Sequence, residues 1–186
     1  MDLMNELSGL LQKYTGGQTD QGQDTVHNDF DQVAQAAPQP AVADGLAAAF
    51  RSDQTPEFGQ MTSSLFSNSN PQQRAGLLNT LMKYAGPAIL SHVMSGGGGG
   101  SSAGGGGLSS LINLFKGGQQ EVTPEQAAQI PPEAVGQVAA QAEKHDPSII
   151  DHISNFYSEH PTLVKSLGTA ALTIALAKIA QRQYGG

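Results

Sequence analysis

The sequence predicts an all-α protein made of two related units of four to five helices each, and three observations carry that expectation. Apolar residues recur at intervals of three and four between glycine and proline punctuation, and no stretch alternates with the period of two that a half-buried strand would show. Residues 7–18 (LSGLLQKYTGGQ) return as residues 108–119 (LSSLINLFKGGQ), with six of twelve positions identical. The likeness then continues in order. Residues 31–38 face 125–132, Ala41-Val42 faces Ala134-Val135, residues 65–71 face 156–161, and Leu77 faces Leu167. An internal duplication of this kind predicts two halves that fold alike and pack with approximate two-fold symmetry. The boundaries it implies are 1–94 and 108–186, with a Gly/Ser-rich linker over 95–107.

The first element of each half is amphipathic: Leu3, Leu7, Leu10, Leu11 and Tyr14 in one, Leu108, Leu111, Ile112 and Phe115 in the other. Gly16-Gly17 and Gly117-Gly118 are placed to stop both helices, since glycine enters a left-handed C-cap at low cost. Residues 18–28 read as a polar loop. The second element is short, with capping-box spacing at Asp29/Gln32 and at Thr123/Gln126, and with Pro124 suited to a first helical position. The third covers about 41–52 and 133–145. Its faces are Val42, Leu46, Ala49 and Phe50, then Val135, Val138, Ala139 and Ala142. The fourth begins at Thr55-Pro56 and Asp146-Pro147 and carries Phe58, Met61, Leu65 and Phe66, or Ile149, Ile150, Ile153, Phe156 and Tyr157.

The fifth element is the longest. In the second half, residues 163–180 read as one helix apolar nearly all round, which belongs at the centre of the packing. Its small residues Gly168, Ala171 and Ala175 would let a neighbour approach closely. In the first half, Gly86-Pro87 interrupts residues 77–94 and should kink or split the helix. Each half holds few large apolar residues, which favours a merged core over two separate ones. Nine of the twelve residues 96–107 are glycine, so this stretch is expected to be mobile and dispensable for folding.

Composition narrows the function classes. At 186 residues the net charge is −7 and the pI near 5.0. That balance argues against nucleic-acid partners and against an anionic membrane surface. Cysteine is absent, which removes disulfides, thiolate metal sites and thiol chemistry together. The start, MDLMNE, lacks a signal peptide's basic and apolar regions, and the uncharged run 166–177 is too short to span a bilayer. The expected location is the cytoplasm, with no stable membrane insertion.

Few motifs carry chemistry. The polyglycine run lacks the pattern of a phosphate-binding loop. Asp20, Asp24 and Asp31 fall at positions one, five and twelve of a calcium loop, but Gly22 and Thr25 break it, leaving a solvated loop. His145, His152 and His160, with Asp146, Asp151 and Glu159 beside them, crowd one region and are the candidate metal ligands, of which His145, His152, Asp151, Glu159 and His160 are carried forward. Histidine and carboxylate suit zinc or iron, but helical i, i+4 ligand spacing is missing. No Gly-x-Ser-x-Gly context accompanies any serine. No catalytic residue, cofactor or small-molecule substrate is identified.

With the elements laid out, the chain resembles the YidB-like family of small bacterial helical proteins. The amphipathic leader, the Gly/Ser-rich stretch, the Thr-Pro-Glu-Gln start at Thr123 and the Pro-Pro-Glu-Ala-Val start at Pro131 carry the likeness, with the apolar spacing of 146–157 and 161–180. It covers mainly residues 108–180. The resemblance implies an all-α fold and a bacterial source, and it supplies no catalytic residues. The expected function is a non-catalytic interaction or structural protein with a protein partner or self-association. The alternatives are a metal-binding protein using the three histidines, and a lipid-associated protein using a groove beside the fifth helix.

Overall fold

A computed structural model describes residues 3–15, 22–94, 113, 117 and 121–184, and among these the chain is helical with no strand. In order the helices are α1 (Leu3–Thr15), α2 (Gln23–Ala36), α3 (Gln39–Phe50), α4 (Phe58–Asn68), α5 (Pro71–Met94), α6 (Pro124–Ala128), α7 (Pro132–His145), α8 (Ile149–Ser158), α9 (Pro161–Val164), a 3-10 turn (Lys165–Leu167) and α10 (Thr169–Tyr184). The glycine tract 96–107, most of the first element of the second half and Gly16-Gly17 lie outside the described residues. The chain divides into two compact units, one joining Met1–Pro56 to Tyr157–Gly186 and the other taking Glu57–Phe156.

The first unit is organised by α10, which packs on α1, α2 and α3. Its buried residues Ala171, Leu172, Ala175, Leu176, Ile179 and Ala180 form a broad apolar face, as the sequence of this element suggests. Opposite lie Leu11 of α1, Phe30 and Val33 of α2, and Val42, Leu46 and Phe50 of α3, all at most 3% exposed. Helix α3 comes closest. A Cβ on Gly45 would meet the Ala175 carbonyl oxygen at 2.7 Å and Ile179 Cγ1 at 2.8 Å, so only glycine permits this backbone approach. Two ion pairs, Asp31 with Lys165 and Asp44 with Arg182, join the segments, and Gln39 Nε2 donates to Glu159 Oε1 at 3.1 Å.

The second unit is built on the pairing of α4 with α7 and of α5 with α6 and α7. Its local chemistry is capping. Asn70 Oδ1 accepts the Gln73 N–H at 2.9 Å while Gln73 Oε1 accepts the Asn70 N–H at 3.0 Å, and Thr123 with Gln126 forms the capping box expected from its spacing. Arg74 closes the end of α4 by donating Nε to the Phe66 carbonyl and Nη2 to that of Ser67, with its guanidinium 5.1 Å from the Phe66 ring centre. Asn79 imitates a peptide group toward Val122, accepting its N–H at 2.6 Å and donating to its carbonyl at 3.4 Å.

Three local expectations are corrected. Helix α2 is 14 residues long and starts at Gln23, so residues 23–28 are helix rather than loop. Val26, Phe30 and Val33 lie at i, i+4 and i+7, and that stripe extends the helix backward past Asp29, which is buried mid-helix and caps nothing. Pro87 does not split α5, which runs through it to Met94. Pro87 is exposed, so its ring lies on the solvent side of the helix, where a carbonyl left without its helical donor remains accessible to water. The interruption falls instead in the second half, at Gly168, whose φ of +88° ends the 3-10 turn before α10 begins.

Candidate functional site

The five candidate ligands sit at helix boundaries and on exposed faces. His145 is the last residue of α7 and is exposed. Asp146 follows it as C-cap, and its Oδ1 accepts the Ser148 N–H at 3.0 Å. Hydrogen bonds from the Ser148 side chain and N–H hold the Asp146 carboxyl below its ordinary range, with His152 adding a smaller electrostatic contribution. That carboxylate is engaged in a turn. Asp151 stands exposed in the first turn of α8, where its carbonyl accepts from Asn155 Nδ2 at 2.8 Å. Glu159 is engaged with Gln39, and His160 is the N-cap residue of α9, with its N–H bonded to the Tyr157 carbonyl at 2.9 Å.

His152 has the most developed environment. Its ring stacks on Tyr84 of α5 with 3.5 Å between centroids and 8° between planes, and the Lys83 ammonium lies 5.1 Å from the Tyr84 centroid. Tyr84 is 40% exposed and His152 half-buried, so this is a surface stack that pins α8 to α5 inside the second unit. Among the described residues, no group of three or more His, Asp or Glu side chains is arranged to hold a metal ion.

Two features escaped the sequence reading. In the first unit, Tyr14 donates from its hydroxyl to Asp29 Oδ2 at 2.9 Å, both side chains being buried. Burial first, then the hydrogen bond to Asp29 and the charge of that carboxylate, raise the Tyr14 phenol well above its ordinary value. The alternation of apolar and acidic residues in 26–33 could have drawn attention to an inward carboxylate there.

In the second unit, α4 and α7 cross at paired glycines. A Cβ on Gly59 would meet the Gly136 carbonyl oxygen at 2.6 Å and the Ala140 Cβ at 3.0 Å. A Cβ on Gly136 would meet the Gly59 carbonyl oxygen at 2.6 Å and the Ser63 Cβ at 3.0 Å. The two helices contribute equivalent strings, Gly59-Gln-x-x-Ser63 and Gly136-Gln-x-x-Ala140, and pair Gly59 with Ala140 and Ser63 with Gly136, so they run antiparallel. Beside the crossing lies an open cavity of about 370 Å³ lined by Glu57, Gln60, Glu133 and Gln137 as well as both glycines. Carboxylates and amides offer hydrogen bonds and charge, and Glu57 and Glu133 can accept a proton, but this lining holds no cationic side chain to stabilise an oxyanion. The shared Gly-Gln-x-x-small string was the available signal, hidden because the repeat sets Gly59 opposite Ile150. No protein-family model, curated protein or solved structure matches the chain. Among the described residues, no helix is long and apolar enough to cross a membrane.

Proposed function

We propose that the chain is a non-catalytic helical interaction or structural protein of the bacterial cytoplasm, YidB-like in character, whose two halves derive from one duplicated unit. The observation that supports it best is how the candidate polar groups are used. Asp146 serves a turn, Glu159 a contact with α3 and His152 an aromatic stack, so the chemistry of these three goes into placing helices. The duplication gives the packing a simple sense. Helix α10, the fifth element of the second half, covers α1, α2 and α3 of the first, while α5, the fifth element of the first half, packs on α6 and α7 of the second. Each half thus lends its longest helix to the other.

The test is a broad hydrolase and transferase screen, run with metal analysis on protein purified without a tag. No turnover, substoichiometric transition metal and an unchanged melting temperature on chelation are the expected results. A turnover abolished by replacing one polar side chain would overturn the reading.

A further inference from the structure

The first unit is discontinuous. Its α1–α3 and its α10 are separated in sequence by the whole of the second unit, residues 57–156. The apolar face of α1–α3 is covered by α10, and residues 157–186 are also its electrostatic complement. Residues 1–56 carry eight acidic and two basic side chains, a net of −6, and residues 157–186 carry one acidic and three basic, a net of +2. Residues 57–156, with seven acidic and four basic, are acidic in sum, so of these three segments only 157–186 is basic in sum. Lys165 and Arg182 are placed on Asp31 and Asp44, which sets the register of the pairing.

We propose that α1–α3 form an exchangeable arm whose partner is a second copy of this chain, so that two copies close into a dimer with the arm of each packed on α10 of the other. Any copy supplies the same apolar face and the same basic side chains, so the contacts made within one chain can be made between two. The hinge is the non-helical stretch 51–57, Arg-Ser-Asp-Gln-Thr-Pro-Glu, between α3 and α4. Its described bonds are local, with Thr55 Oγ1 donating to the Ala49 and Ser52 carbonyls at 2.7 and 2.9 Å and the Gln54 N–H donating to Ser52 Oγ at 3.2 Å, so they leave a change in the direction of the arm to Pro56 and Glu57, the residues beyond Thr55. Intrachain closure competes with a second copy at an effective concentration on the order of millimolar, so assembly at high concentration favours the exchange. The proposal deepens the reading of the chain as an interaction protein by naming one partner.

The chain has no cysteine, so a reporter pair can be introduced without background. Asp44→Cys with Arg182→Cys replaces an exposed ion pair, and Asp31→Cys with Lys165→Cys provides a second, independent pair. Each full-length variant is refolded at about 1 mM and at about 1 µM, fractionated by size, and treated with a short bis-maleimide. The expected result is a dimer fraction several-fold larger at the higher concentration. Its cross-links join two chains on a denaturing gel, whereas the monomer fraction is linked within one chain. Deleting Ser52, Asp53 and Gln54 shortens the hinge and should raise the dimer fraction further. Monomer alone at both concentrations, with either pair and with the shortened hinge, would overturn the proposal. So would a dimer whose cross-links stay within each chain, since that is side-by-side association. Either outcome removes the exchange and leaves the non-catalytic reading to its own turnover test.

Discussion

The two units bring helices together at glycine, but in different ways. In the first, one glycine faces larger residues: Gly45 lies against the carbonyl of Ala175 and the side chain of Ile179. In the second, Gly59 and Gly136 face each other, and each blocks the other's missing side chain with its own carbonyl oxygen. Mid-helix glycine costs up to about 1 kcal/mol relative to alanine, so a close approach must return more than that to be stabilising. At Gly45 part of the obstruction is the flexible Ile179, although the Ala175 carbonyl is not. At the paired crossing the nearest obstruction on each side is a backbone carbonyl oxygen at 2.6 Å, and the next, Ala140 Cβ or Ser63 Cβ at 3.0 Å, is fixed to the backbone and cannot swing away. The second arrangement is the less forgiving, and Gly9 of α1, with nothing within 4 Å of a built Cβ, supplies the opposite case.

The largest expected effect follows from the paired crossing. Gly136→Val should cost about 3 kcal/mol or more in urea unfolding, because α4 and α7 must separate and the branched side chain resists relief by rotation. Amide exchange should rise first in 57–156; a loss under about 1 kcal/mol would show that the crossing is loosely packed.

Next is Tyr14→Phe, which strips Asp29 of its recorded hydrogen bond and should cost about 2 kcal/mol at neutral pH. Its pH signature is alkaline. The raised phenol pKa favours the neutral form in the folded state, so its contribution is fully present below the ordinary tyrosine value of about 10 and is lost as pH climbs beyond it. The parent should lose stability above about pH 10 and the Phe variant should show a shallower loss. Parallel alkaline profiles would contradict this account of Tyr14.

Gly45→Ala should cost about 1–2 kcal/mol, less than the valine at Gly136, with exchange rising first in 1–56 and 157–186. A larger loss here would reverse the ranking of the two contacts. The smallest effect has the other sign: Gly9→Ala, on an exposed helical face, should stabilise by about 0.5–1 kcal/mol in a thermal or urea melt.

How much of this was legible in the sequence depends on whether the signal was local. The all-α class, the apolar stripes of α4 and α8 and the Thr123 capping box were readable because each rests on residues within one or two turns of each other. Asp29 was misread because capping spacing is short and recurs by chance in polar sequence, whereas its partner Tyr14 lies fifteen residues away. Pro87 and Gly168 were misjudged together. Proline is the stronger breaker in isolation, but its exposed position in α5 softens the penalty, and the φ of Gly168 is set by the turn between Leu167 and Thr169. Of the candidate site, His145, Asp151 and His152 lie in helices while Glu159 and His160 lie in the turn between α8 and α9, and the engagements of Glu159 and His152 were not readable. The Tyr84–His152 stack and the Glu159–Gln39 bond join residues 68 and 120 positions apart, and periodicity carries no information over that range.

The discontinuity of the first unit also has a consequence in time. A ribosome adding about 5–20 residues per second delivers α1–α3 long before it delivers α10. Between Phe50 and Tyr184 lie about 130 residues, so the interval is roughly 7–27 s at those rates. Throughout it, Phe30, Val42 and Leu46 lack the helix that covers them, while residues 57–156 have all been made before α10 begins. The order of synthesis therefore makes the earliest helices of this protein the last to be sheltered, and a chaperone or a neighbouring nascent chain meets them first.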